Sequence, residues 1–209
     1  MQKPDALIFD MDGTLWDASS TYLKAWNLAF KALNIHKIIS ETTLNGMMGW
    51  EKRKVFDQIF PELSIEKQDE IAALIEQKQD EILPIYGGKL YKGVQNGLVA
   101  LAEKYKIFIV SNCPANTINQ MMKFTKIDHI ITDTFAHGTN FMPKHNNIRL
   151  LIKKYKLKNP IYIGDTEGDK IQAELTPLPF VYVSYGFGKS SGILNFESFD
   201  NFSAYFLTL

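Results

Sequence analysis

The chain opens on a short uninterrupted apolar run, Ala-Leu-Ile-Phe at residues 6–9, which stops at Asp10. A run of that kind suits a strand covered on both faces, as in a parallel sheet. From residue 17 to about 83 the period changes. Tyr22, Ala25, Trp26, Ala29, Phe30 and Leu33 recur every three or four positions, which predicts an amphipathic helix. A second helical pattern, rich in Glu, Lys and Gln, covers 63–83, and no comparable strand signal lies between the two. Pro84 and the Gly87-Gly88 pair break the pattern. Beyond them, strands and helices alternate: helix 94–104, strand 107–111, helix 115–124, a short strand within 130–135, helix 144–155, strand 161–164, and a last clear strand at 180–183.

Alternation of this kind is the mark of a parallel sheet with helices on both faces. The expected fold is therefore α/β: a Rossmann-like parallel sheet core flanked by helices, with an all-helical cap inserted after the first strand. Residues 1–16 and 86–209 are assigned to the core and residues 17–85 to the cap.

Chemistry gathers at the strand ends, where open parallel sheets bind their ligands. Four polar clusters follow the predicted strands or loops at that edge: Asp10-Met11-Asp12-Gly13-Thr14, Ser111-Asn112, Lys144, and Gly164-Asp165-Thr166-Glu167-Gly168-Asp169. Asp10 and Asp12 are two apart, so in extended chain they point to one side, and Gly13 permits a sharp turn after them. Asp165 and Asp169 are four apart and share a face if Asp165 opens a helix. Carboxylates so gathered repel one another and repel a phosphate dianion. A hard divalent cation such as Mg²⁺ removes that conflict. Lys144 would add positive charge, and Ser111 and Thr14 would add hydroxyl donors. A calcium-binding EF-hand loop also begins Asp-x-Asp, but its glycine is sixth; here Gly13 is fourth and no helix precedes Asp10.

These clusters resemble the haloacid dehalogenase-like superfamily of hydrolases, in the phosphatase branch with a helical cap that includes phosphoglycolate phosphatase and β-phosphoglucomutase-like enzymes. The resemblance extends over nearly the whole chain. It implies that Asp10 attacks phosphorus to form an aspartyl-phosphate. Asp12 then protonates the leaving oxygen and later activates the hydrolytic water. It implies a Mg²⁺ cofactor held by the Asp10 carboxylate, the Asp12 carbonyl and Asp165, with Asp169 ordering a coordinated water. It assigns phosphate binding to Thr14, Ser111, Asn112 and Lys144. Two departures are visible. The family lysine is usually followed by proline, whereas Lys144 is preceded by Pro143 and followed by His145. Where many relatives carry a longer connection with Ala and Gly after the Gly-Asp motif, this chain has Lys170-Ile171-Gln172-Ala173-Glu174-Leu175-Thr176-Pro177.

Charge and composition narrow the picture further. Twenty-three basic residues balance 23 acidic ones, so the chain carries no general attraction for nucleic acid or anionic membranes. No apolar stretch approaches the ~18 residues of a membrane span, and Cys113 is the single cysteine, so no intrachain disulfide forms. A cytoplasmic protein, monomer or homodimer, acting on a small phosphorylated metabolite is expected. Within the cap, Asn45-Gly46-Met47-Met48-Gly49-Trp50-Glu51-Lys52-Arg53 sets two glycines around two methionines, followed by Trp50 and the cations Lys52 and Arg53. By the resemblance, a loop in this position covers the site and reads the leaving group, whereas the pattern alone also fits a solvated helix face. Cys113 reads as a small buried side chain and His145 as an exposed loop histidine.

Three other functions stay in view. A phosphomutase would use the same motifs and differ in handing the phosphoryl group back to a sugar. A dehalogenase would lack an acid at the position of Asp12. A non-catalytic binding protein on this fold would have lost the nucleophile or a metal carboxylate, and this chain keeps them.

Overall fold

A computed structural model describes residues 2–209. In chain order the elements are β1 (Ala6–Phe9), β2 (Trp16–Asp17), α1 (Ser19–Ala32), α2 (Glu41–Asn45), α3 (Lys52–Ile59) and α4 (Ile65–Tyr86). Then come β3 (Lys89–Leu90), α5 (Val94–Ala102), β4 (Lys106–Ser111), α6 (Thr117–Thr125), β5 (Asp133–Ala136) and α7 (His137–Asn140). The chain closes with α8 (Lys144–Tyr155), β6 (Pro160–Gly164), α9 (Glu167–Leu175), β7 (Phe180–Val183), β8 (Leu194–Phe196) and α10 (Phe199–Leu207).

Six strands form one parallel sheet in the order β5-β4-β1-β6-β7-β8. β1 lies in the middle, with Phe9 level with Ile109 of β4 on one side and Ile163 of β6 on the other. The chain builds outward from β1 first through β4 and β5, then returns to build through β6, β7 and β8. The strand order therefore reverses at β1, and the crevice at a reversal of this kind is where such sheets bind ligands.

Every residue of β1 is buried, because helices cover both faces. Leu7, Phe9, Ile107, Ile109 and Ile161 point into the larger core, which also takes the apolar sides of α5 and α10. Ala6, Ile8, Phe108 and Tyr162 point the other way, onto Ile148 and Leu151 of α8 and Ala173 of α9. This strict alternation comes from the two-residue period of a strand.

The four helices α1–α4 lie between β2 and β3, two short strands that pair antiparallel and join the helical segment to the sheet. α1 buries Tyr22, Ala25, Trp26, Ala29 and Phe30, the stripe its periodicity predicts. Trp26 stacks on Phe56 of α3, and Phe30 meets Phe60 edge to face. α4 starts at a Ser64 cap and runs to Tyr86 with Pro84 inside it, so the helix passes the break read at residue 83. It ends at Gly87, whose positive φ of 56° few other residues adopt. The carboxyl-terminal β8 and α10 lie beyond the last strand expected from the sequence, although Phe199, Phe202 and Phe206 recur at helical spacing behind a Ser198 cap. Phe199, Phe202 and Phe206 of α10 fill the core beside Phe9. No described helix is long and apolar enough to cross a membrane.

Candidate active site

Asp10 leaves β1 at the centre of the sheet. Its amide still donates to the Ile163 carbonyl at 2.8 Å, so pairing with β6 fixes the first residue beyond the strand. The chain then turns tightly, with the amides of Thr14, Leu15 and Trp16 all donating to the Met11 carbonyl. Gly13 takes a φ of +86°, and a Cβ there would stand 2.6 Å from Asp165 Cγ. Glycine is required twice over, by the left-handed backbone and by the approach of Asp165.

Asp165 follows β6 but does not open the next helix, which corrects the shared-face expectation. Thr166 is the N-cap of α9 and Asp169 the third residue within it. Thr166 Oγ1 accepts from the Asp169 amide while Asp169 Oδ2 accepts from the Thr166 amide and hydroxyl, a reciprocal capping box. The cap aims Asp169 back at the sheet. Asp165 is held by a different segment, the loop after β7: Phe187 and Gly188 donate their amides to Asp165 Oδ2 at 2.7 and 3.2 Å. Asp10, Asp165 and Asp169 thereby come together, buried, with one carboxylate oxygen from each lying within 4.8 Å of the others.

Lys144, the first residue of α8, enters this group from the side. Its Nζ donates to Asp10 Oδ1 at 2.7 Å and to Asp169 Oδ1 at 2.8 Å, and only 2% of its side chain is exposed. Tyr162 adds its hydroxyl to Asp169 Oδ1 at 3.1 Å. Burial works against the charged lysine, yet Asp10 and Asp169 outweigh it and hold Lys144 above its ordinary value. For Asp10, burial and the repulsion of Asp169 push the carboxyl well up, with Lys144 pulling the other way. Asp165 is raised to about 7, mainly by burial and by Asp169, against the two loop amides.

Three carboxylates against one ammonium leave a formal excess of two negative charges in a dry site, which is costly unless a cation neutralises it. The donors are all hard oxygens from carboxylates, the set a divalent cation such as Mg²⁺ prefers. The residues present thus fit a divalent metal.

Asp12 stands outside that trio. Its Oδ1 accepts from Trp16 Nε1 at 3.0 Å and from the Tyr22 hydroxyl of α1 at 2.9 Å. Its Oδ2 has no hydrogen-bond partner among the described residues. Burial raises this carboxyl to about 6, although the Tyr22 and Trp16 hydrogen bonds oppose the shift. The side chain therefore holds its proton more readily than an ordinary aspartate.

Asp10 and Asp12 border a cavity of about 230 Å³ that opens between the sheet edge and the helical segment. Ser111, at the end of β4, lines it, as do Trp50 and Lys52. The other predicted residues are placed differently. Thr14 is fully buried and donates its hydroxyl to Asp165 Oδ1 at 3.3 Å, away from the cavity. Asn112 borders the cavity but spends its amide donor on the Gly49 carbonyl at 2.8 Å, tying the loop before α3 to the sheet edge. Arg53 turns to Gln68 and Asp69 and does not reach the cavity. His145 bonds Gln172 of α9 and lies outside it as well. Cys113 lines the cavity wall, and burial together with the Asp12 charge pushes its thiol up to about 12.

Several contributors escaped sequence reasoning: Trp16, Tyr22, Tyr162, the loop at Phe187 and Gly188, and the cavity residues Glu76 and His137. The stretch Gly186-Phe187-Gly188 was the one available signal. A Cβ at Gly186 would stand 2.5 Å from Asp165 Cβ.

A profile of the haloacid dehalogenase-like hydrolases matches residues 7–183. The chain belongs to that family. This hydrolase is 25% identical to a phosphoglycolate phosphatase of Colwellia psychrerythraea, in an alignment covering all of this chain and 98% of that one. It is 27% identical to a phosphoglycolate phosphatase of Photobacterium profundum over 87% of this chain and 83% of the relative. Among solved structures, a haloacid dehalogenase-like family hydrolase from Streptococcus pneumoniae superposes with a TM-score of 0.87 at 23% identity. That match covers 99% of this chain and 100% of the other. A structure described as a predicted phosphoglycolate phosphatase from Haemophilus somnus gives 0.82 at 21% identity, covering 98% and 99%. The structural likenesses speak for the fold.

Proposed function

We propose that this hydrolase is a Mg²⁺-dependent phosphomonoester phosphatase that works through an aspartyl-phosphate on Asp10. One observation carries the reading: three buried carboxylates within 4.8 Å of one another, with Lys144 between two of them, beside a cavity that Asp12 also borders. The phosphatase names of the relatives agree with it.

Asp10, Asp165 and Asp169 would hold the metal, together with the main chain at Asp12. When bound, the ion supplies charge neutralisation for a phosphoryl group that would otherwise meet three carboxylates. An Asp10 oxygen attacks phosphorus as the bond to the ester oxygen breaks. Asp12, holding a proton, delivers it to the departing alkoxide, an assistance typically worth ~10²–10⁴-fold. Asp12, now ionised, accepts a proton from a water that attacks the phosphoryl group. The phosphorus–Asp10 bond breaks and inorganic phosphate leaves. Lys144 keeps Asp10 oriented and offsets its charge, and Ser111, which lines the same cavity, would donate to a phosphoryl oxygen. Residues 17–85 act as a cap that shuts water out and faces the leaving group.

The test is release of inorganic phosphate from a chromogenic ester with Mg²⁺, and its loss on chelation. Asp10→Asn is expected to abolish turnover with folding intact. Near-normal turnover in that variant, or no turnover of any ester by the native protein, refutes the reading.

A further inference from the structure

Most of the wall of the cavity beside Asp12 is hydrocarbon, with Lys52, Glu76, Gln79 and His137 among the polar residues that line the rest. Tyr22 and Trp26 of α1, Met47, Phe56 of α3, and Ala72 and Ile75 of α4 line it on the side away from the sheet. Its volume of about 230 Å³ exceeds the ~150 Å³ of an apolar cavity that admits benzene. An alcohol leaving from a phosphoryl group on Asp10 and taking its proton from Asp12 has this space to occupy.

The charges around the cavity argue against an acidic leaving group. Asp10 and Asp12 border one end of it, and Glu76, half-buried, faces it from α4. Lys52 is the lining lysine, and Asp69 lies 3.6 Å from its ammonium. Arg53, the other cation expected to meet a second anionic group, is spent on Asp69 and Gln68. The remaining lining base, His137, directs Nδ1 to the Met142 carbonyl at 3.0 Å. A carboxylate brought here would lose its water against hydrocarbon and meet one ammonium, that of Lys52, which it would share with Asp69 and with Glu76 across the cavity, an arrangement that costs more than it returns.

We propose that this hydrolase acts on phosphomonoesters of small uncharged alcohols with a bulky hydrocarbon body, and discriminates against anionic leaving groups such as glycolate. The inference rests on the phosphatase reading and narrows it to a substrate class. It sets this chain apart from what the names of its relatives describe.

Three esters test it, each with Mg²⁺: 3,3-dimethylbutyl phosphate, its cationic isostere choline phosphate, and the smaller, anionic phosphoglycolate. The expected result is a kcat/KM for dimethylbutyl phosphate at least tenfold above phosphoglycolate and above choline phosphate, the scale on which an apolar pocket discriminates. Equal or faster hydrolysis of phosphoglycolate overturns the inference and leaves the phosphatase reading standing. So does faster hydrolysis of choline phosphate, which would mean that Glu76 reads a cation. So does hydrolysis of a chromogenic aryl ester with none of the three alkyl esters. No hydrolysis of any ester removes both readings together. Ala72→Phe, which fills the cavity, is expected to lower the ratio of dimethylbutyl to methyl phosphate kcat/KM by at least tenfold; an unchanged ratio in a folded variant overturns the placement of the alcohol.

Discussion

Replacing Lys144 by methionine isolates the electrostatics of the site. Methionine keeps an unbranched side chain of similar reach and removes the ammonium. The native lysine contacts Asp10 at 2.7 Å and Asp169 at 2.8 Å with 2% of its side chain exposed, so solvent cannot replace it. Removing one partner of a buried pair costs about 3–5 kcal/mol. For a chain of this length that corresponds to a fall in Tm of about 6–20 °C. The cost depends on pH with a definite sign. Asp10 and Asp165 are both raised in the folded protein, the latter to about 7, so the fold binds protons there that the unfolded chain has released. Stability of the metal-free protein therefore falls as pH rises from about 4 toward about 7. Without Lys144 the raised carboxyls move further up and the fall steepens. Thermal unfolding of the chelated protein at pH 5 and pH 8 is the assay. The variant should lie close to the native protein at pH 5 and well below it at pH 8, and Mg²⁺ should narrow the gap at pH 8. A variant within 2 °C of the native protein at pH 8 without metal, below the smallest fall of about 6 °C, would refute this account of the buried charges.

Asp12→Asn should lower kcat for alkyl esters by about 10²–10⁴-fold with little change in unfolding temperature, and should hurt p-nitrophenyl phosphate less, since that leaving group needs less proton assistance; kinetics on both esters decide it. Gly13→Ala should cost about 1–3 kcal/mol through its positive φ, and should also lose activity because its Cβ displaces Asp165, measured by urea unfolding and phosphate release. Cys113, 8% exposed with its thiol raised to about 12, should resist iodoacetamide at pH 8 in the native protein and react on unfolding, as read by mass spectrometry.

Local sequence was enough for the skeleton of the sheet and for the acidic residues at its edge. β1, β4, β6 and β7 are buried on both faces, so each appears as a continuous apolar run, and such runs do not depend on distant context. Asp10, Asp165 and Lys144 follow strands or begin a helix at positions that the alternation of elements fixes along the chain. β8 was not legible, since its three residues are half-exposed or exposed; α10 carries Phe199, Phe202 and Phe206 at helical spacing, but that they pack against Phe9, far away in sequence, only the fold shows.

What each polar group does was settled by partners that no spacing reveals. Thr14 has a hydroxyl that could serve a phosphate, but Asp165, 151 residues away, takes it. Arg53 and Lys52 look equivalent in the chain and both lie near Asp69, yet helix geometry turns Arg53 to Gln68 and Asp69 away from the cavity and leaves Lys52 at its edge. Asp12 and Asp10 are two residues apart, but the turn at Gly13 gives Asp12 to Tyr22 and Trp16 while Asp10 goes to Lys144. Periodicity and turn chemistry are short-range properties and can be read along a chain. A proton affinity, an ion pair or a cavity wall depends on which distant atoms share a low-dielectric space, and only the folded arrangement sets that.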